Sequence, residues 1–164
     1  MVRRAAVFHK PIIAQNMSVF KELVKPVDSL RSQVSKNACL ALQGLFNELT
    51  SSQTDGQIDT VLPILLKRAA DTNQFISEQA MATLVIIVNN CSDARVFNSL
   101  QSQALKTNGA KEKVGYCYTA LLEKMGPKVR NFSHSERMIQ VIVSMLTENA
   151  AEVRNQAKMA VHTL

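Results

Sequence analysis

The sequence predicts an all-α fold, a solenoid of helical hairpins in which each hairpin packs mainly on its neighbours. Three observations point there. Apolar residues recur three and four positions apart over most of the 164 residues, the spacing that lines one face of a helix. Helix breakers are scarce, with four prolines and five glycines, so they punctuate the chain rather than interrupt its helices. One short pattern also returns four times, each time just past a polar turn.

The first helix should begin near Pro11, whose fixed φ suits a first turn. It runs through Ile12, Met17, Phe20, Leu23 and Val24 and breaks at Lys25-Pro26. A second helix, from about Ser29, sets Leu30, Val34, Ala38, Leu42, Leu45 and Leu49 on one face. Thr50 to Gly56 reads as a polar turn. The stretch from Ile58 to Cys91 is the one around which the chain is organised. Its first helix carries Ile58, Val61, Leu62, Leu65, Leu66 and Ala69, and a break at Asp71–Gln74 follows, with Thr72 or Asn73 as the next cap. The helix after it is apolar nearly all round from Leu84 to Val88, as expected of a helix packed on more than one side.

A weaker hairpin comes next. Val96, Phe97, Leu100, Ala104 and Leu105 line its first helix and 106–109 is its turn. Ala110, Val114, Cys117, Leu121 and Met125 line its second helix, which Gly126-Pro127 stops. Ser133 and Glu136 have capping-box spacing and open a fourth hairpin. Met138, Val141, Ile142, Met145 and Leu146 line its first helix, with Val153, Ala157, Val161 and Leu164 on its second. Asn149 and Glu152 form another cap pair between them.

Laid over one another, the second helices share a pattern: Val34-Ser-Lys-Asn-Ala38, Ile76-Ser-Glu-Gln-Ala80, Ala110-Lys-Glu-Lys-Val114 and Val153-Arg-Asn-Gln-Ala157. Their last residues are 42, 34 and 43 positions apart, and two of these intervals are close to the period of HEAT-type two-helix repeats. Small residues at 38, 80 and 157 let paired helices approach closely. The expected organisation is one domain over residues 1–164, with hairpins at about 10–50, 57–91, 94–126 and 133–164.

Composition narrows the function classes. The formal net charge of +6 implies an acidic partner without distinguishing nucleic acid from protein. No apolar run reaches the roughly 18 residues of a membrane span, so no membrane partner is expected. Cys39, Cys91 and Cys117 are widely spaced within helices and lack C-x-x-C spacing, which suits buried free thiols rather than zinc or disulfides. His9, His134 and His162 form no ligand or catalytic set, and no phosphate-loop motif surrounds Gly109 or Gly115. No cofactor and no enzymatic activity are expected. With two tyrosines and no tryptophan, stacking surface for single-stranded nucleic acid is also poor.

The stretches Leu30-Arg-Ser-Gln-Val-Ser-Lys-Asn-Ala38, Ala69-Ala-Asp-Thr-Asn-Gln-Phe-Ile-Ser-Glu78 and Val88-Asn-Asn-Cys91 resemble the TOG domains of microtubule regulators. The resemblance is to the ciliary TOG-array proteins called Crescerin, then to the CLASP family. It covers about residues 10 to 160 and is most specific over 29–91. It implies a thin paddle of HEAT repeats, six in the family and about four recognisable here, whose within-hairpin turns grip tubulin along one edge. Stacked solenoid turns form a continuous edge, and at or beside the within-hairpin turns stand Lys25, Arg31, Asn73, Phe75, Lys106, Lys111 and Arg154, five of them basic. Arg154 and Lys111 also fall where such repeats keep a basic residue for side-chain hydrogen bonds, and Phe75 fits a plug for its hairpin top.

The function this implies is a non-catalytic tubulin- or microtubule-binding module of a cytoskeletal regulator, monomeric and part of a larger protein. Its location is then cytoplasmic and cytoskeletal, the cilium or flagellar axoneme included. The alternative is a general HEAT-repeat scaffold that binds peptides or adaptors.

Overall fold

The computed structural model describes residues 10–104 and 110–163, and every regular element among the described residues is helical. In chain order these are α1 (Lys10–Gln15), α2 (Ser18–Val27), α3 (Ser32–Glu48) and a short α4 (Ser51–Thr54) that runs into a 3-10 turn, Asp55–Gln57. Next come α5 (Ile58–Ala69), α6 (Gln74–Asn90), α7 (Asp93–Ala104) and α8 (Lys111–Met125). A second 3-10 turn, Gly126–Asn131, leads to α9 (Ser135–Leu146) and α10 (Ala151–Thr163). None of the described helices is long and apolar enough to cross a membrane.

The pairs α2–α3, α5–α6, α7–α8 and α9–α10 are antiparallel hairpins. Their second helices form one row, α3 on α6, α6 on α8 and α8 on α10, while α2 packs on α5 and α5 on α7. One continuous core runs between the rows, from Phe20 and Phe46 through Leu65 and Leu84 to Leu121 and Ala157. Ala38, Ala80, Val114 and Ala157 are all buried, each on the second helix of its hairpin. Gly115 marks a close approach of α8 to the fourth hairpin: a Cβ there would collide with Met145 Cε and lie 3.1 Å from Gln156 Cβ.

Several local expectations change. The first helix does not break at Lys25-Pro26. Its interruption is at Asn16-Met17, where the Asn16 amide donates to the Ile12 carbonyl at 2.8 Å and closes α1 locally. Pro26 sits in the last turn of α2, where it gives up its own bond back to the Glu22 carbonyl, and the helix ends one residue later at Val27. Leu30 and Val34 are not on the packed face: they are 94% and 39% exposed. Leu30 stands before the Arg31 N-cap, outside α3, and at Val34 an i, i+4 row extended back from Ala38 has drifted by about 40° toward solvent on a 3.6-residue helix. The buried stripe is Ser35, Ala38, Cys39, Leu42, Leu45 and Phe46.

Thr50 to Gly56 is polar but mostly helical, because Gln53 Oε1 accepts the Thr50 N–H at 3.0 Å and caps its own short turn. The Ser133 capping box does not form. His134 is the N-cap of α9, without a side-chain cap bond, and its ring stacks on Phe97 at 5.7 Å. On α10 the buried stripe is Val153, Ala157 and Ala160, which leaves Val161 exposed. Leu105, Lys106, the rest of the 105–109 turn and Leu164 lie outside the described residues.

Candidate functional site

The turns inside the first two hairpins are built by local hydrogen bonds and then locked to each other. In the first, the Asp28 N–H reaches Lys25 O at 3.1 Å and the Arg31 N–H reaches Ser29 Oγ at 3.2 Å. Arg31 is the extended N-cap of α3, and its carbonyl accepts the N–H groups of Val34 and Ser35. In the second turn Asp71 Oδ1 accepts the Asn73 N–H at 2.9 Å, and Asn73 Oδ1 accepts the Phe75 N–H at 3.1 Å. Asn73, rather than Thr72, is therefore the cap of α6.

Arg68, in the last turn of α5, joins the two turns. Only 6% exposed, it donates through Nε to Val27 O at 3.1 Å, through Nη2 to Ser29 O and through Nη1 to Asp71 at 2.7 Å. A buried guanidinium is tolerated when its donors are used in this way. Lys67 adds an exposed ion pair to Asp28 at 2.9 Å.

A second set of bonds recurs at the residue after the apolar start of each repeated pattern. Ser35 Oγ donates to Val27 O at 2.8 Å, and Ser77 Oγ donates to Ala69 O at 2.6 Å. Both bonds reach back eight residues, to the end of the preceding helix. At the equivalent position in the fourth hairpin, Arg154 Nη1 donates to Glu148 O and Asn149 O, each at 2.8 Å. In the third, Lys111 instead reaches forward to Glu148 Oε1 at 2.8 Å and ties α8 to the turn of the next hairpin. Sequence reasoning missed Arg68 and the two serines. The signal for the serines was present, since both stand second in the aligned pattern.

The proposed edge residues thus divide. Lys25 and Arg31 are exposed at the first turn, and among the described residues no ion pair or side-chain hydrogen bond holds the Arg31 guanidinium. Beside them Asn73 is exposed while capping α6, and Phe75, 40% exposed, has Lys36 Nζ over its ring at 4.6 Å. Lys111 and Arg154 are half-buried in the bonds described above. Lys106 lies outside the described residues.

On the face made by the second helices, Met81, Ala82 and Val85 of α6 and Glu112, Lys113 and Tyr116 of α8 line a shallow groove of about 370 Å³. Among the described residues no group of three or more His, Cys, Asp or Glu is placed to hold a metal ion. Burial raises the thiol pKa values, to about 11 at Cys91 and about 12 at Cys117, and raises that of Cys39 as well.

The family model described as CLASP N terminal matches residues 5–164. The chain belongs to the CLASP N-terminal family. It is 34% identical over 111 residues to TOG array regulator of axonemal microtubules protein 1 from Homo sapiens, and 35% identical over 100 residues to the protein of that name from Mus musculus. These stretches are 67% and 60% of this chain but only 6% of each relative's length. Two designed armadillo repeat proteins share the fold, with TM-scores of 0.57 and 0.53 at 16% and 13% identity. Each likeness covers 99% of this chain, and 72% and 89% of the designed chains. The chain is a TOG-type domain of the Crescerin and CLASP kind, an all-α solenoid and a non-catalytic scaffold.

Proposed function

We propose that this TOG-type module binds tubulin through the edge made by its within-hairpin turns, as part of a larger regulator of microtubules. The observation that carries the reading is the joined pair of turns at Lys25–Arg31 and Asn73–Phe75. There an unpaired guanidinium, a lysine and a partly exposed ring stand on a base that Arg68 makes rigid. A rigid base lowers the ordering cost of binding, and exposed cations steer an acidic partner such as tubulin. Lys111 and Arg154 maintain the far part of the edge, and Lys106 is included for its charge and its place in the sequence. The name of these relatives, which refers to axonemal microtubules, supports a cytoskeletal and ciliary setting.

The test is a pull-down of soluble tubulin at two salt concentrations. The parent should bind, more weakly at high salt, and Lys25→Glu with Arg31→Glu should abolish detectable binding. The control, Lys128→Glu with Arg130→Glu away from these turns, should retain it. Equal loss from both pairs would mean diffuse charge alone, and no binding by the parent would reject the proposal. Lys111 is a poor choice for reversal, since a glutamate there would face Glu148 and disturb the hairpin contact.

The second reading, a peptide-binding scaffold, draws on the α6–α8 groove. It predicts that Tyr116→Ala removes binding while the edge variants keep it.

A further inference from the structure

The segment between α8 and α9 has a feature that neither the fold nor the turn edge uses. Arg130 lies three residues before Ser133 and Lys128 five before. Ser133 is the only serine or threonine in the sequence with a lysine or arginine three positions ahead of it. Spacing of this kind is selected by serine kinases whose substrate grooves carry carboxylates, because each cation finds an ionic partner there and a neutral side chain leaves one unpaired.

The structure leaves these groups available. Lys128, Arg130, Asn131 and Ser133 are exposed, and Ser133 lies in the irregular turn after the 3-10 segment. Among the described residues no hydrogen bond or ion pair holds Lys128, Arg130 or the Ser133 hydroxyl. Several other serines are occupied: Ser35 and Ser77 bond back to the preceding helix, and Ser92 and Ser99 donate to Asp55 and Asp59. Nor is Ser133 used as a helix cap, because His134 takes that place.

We infer that Ser133 is a phosphorylation site for a basophilic serine kinase, with Arg130 and Lys128 as the residues the kinase reads. In the transfer, the Ser133 hydroxyl oxygen attacks the γ-phosphorus of MgATP and its proton passes to the kinase's catalytic carboxylate. The bond to the β-phosphate oxygen breaks and MgADP leaves. The product carries a charge of about −1.5 to −2 at neutral pH. That charge lies one residue before the N-cap of α9, where the helix dipole favours an anion, and next to His134 of the Phe97 aromatic cluster. This inference is independent of the tubulin reading.

The folded chain is incubated with MgATP and calcium/calmodulin-dependent protein kinase II, a kinase that reads arginine three residues before its target. The phosphoryl group is then located by fragmentation mass spectrometry. One group on Ser133 is expected, with none in Ser133→Ala. Arg130→Ala should lower kcat/KM by about tenfold or more, the loss of one desolvated ionic contact, and Lys158→Ala should leave it unchanged. No label on the folded chain, label on another residue, or label only on urea-unfolded chain would each overturn the inference.

Discussion

Ala80 shows how little room the second-helix row leaves. It is fully buried on α6, a helix packed against α3, α5 and α8 at once. Three extra carbons there must displace a neighbouring helix, so Ala80→Leu should cost about 1–3 kcal/mol of stability in urea unfolding. A melt like the parent's would mean that the four patterned positions are not equivalent. The cysteines test burial in another way. All three are buried free thiols, so thiol reagents at neutral pH should label the native protein far more slowly than the urea-unfolded chain.

The same thiols give a pH dependence of defined sign. Burial holds the folded pKa values above the ordinary thiol range, to about 11 at Cys91 and about 12 at Cys117. An unfolded cysteine ionises near 8.5. Between those limits the unfolded chain has lost protons that the folded chain keeps, so stability falls as pH rises. The contribution is fully present below about pH 8.5 and declines through about 11 to 12. Tyr118, whose phenol burial also pushes up, acts in the same direction. Thermal melts should therefore drop at alkaline pH, and replacing Cys91 by Ala should flatten that drop.

At the scale of elements, the joining of turns governs the candidate site, and Arg68 is its test. Arg68→Met keeps the stem but removes donors to Val27 O, Ser29 O and Asp71. The loss should be about 1.5–3 kcal/mol, the range for hydrogen bonds to a charged group, read as a shift in the urea midpoint. It should also raise exchange of the amides in both turns. A change no larger than that of the exposed Lys67→Met would show that the turns hold themselves. Elements of this kind divide what was legible in the sequence from what was not. The α5–α6 hairpin was legible because its stripe, its cap and its apolar centre agree on one arrangement. The start of α3 was not, because an i, i+4 row looks continuous in sequence while it rotates around the helix. Nor was the break at Asn16, where a side-chain amide competes for a backbone carbonyl without any proline to announce it. On the edge, the exposed positions at 25, 31, 73 and 75 follow from being next to turns. The bonds at Ser35, Ser77 and Lys111 depend on partners 8 to 37 residues away, which no local pattern specifies.

For the whole molecule, packing is largely between successive hairpins, so stability should spread along the chain only as far as each junction transmits it. The junction between the third and fourth hairpins has a centre of its own. Phe97, fully buried, lies 5.9 Å from the rings of both Tyr118 and Phe132 and 5.7 Å from His134. These rings come from α7, from α8 and from the segment before α9, and bring the fourth hairpin against the third where its entry lacks a side-chain cap. Phe97→Ala removes the ring common to every one of these contacts and should cost about 3–5 kcal/mol. That loss should not be uniform. Hydrogen exchange should accelerate most in α9 and α10 and next in α8, while the amides of α3 and the first half of α6 keep nearly their parent rates. Binding at the Lys25–Arg31 turn should then survive conditions in which the fourth hairpin is already exchanging freely. A uniform rise in exchange from α2 to α10 would instead mean that the four hairpins unfold as a single cooperative unit.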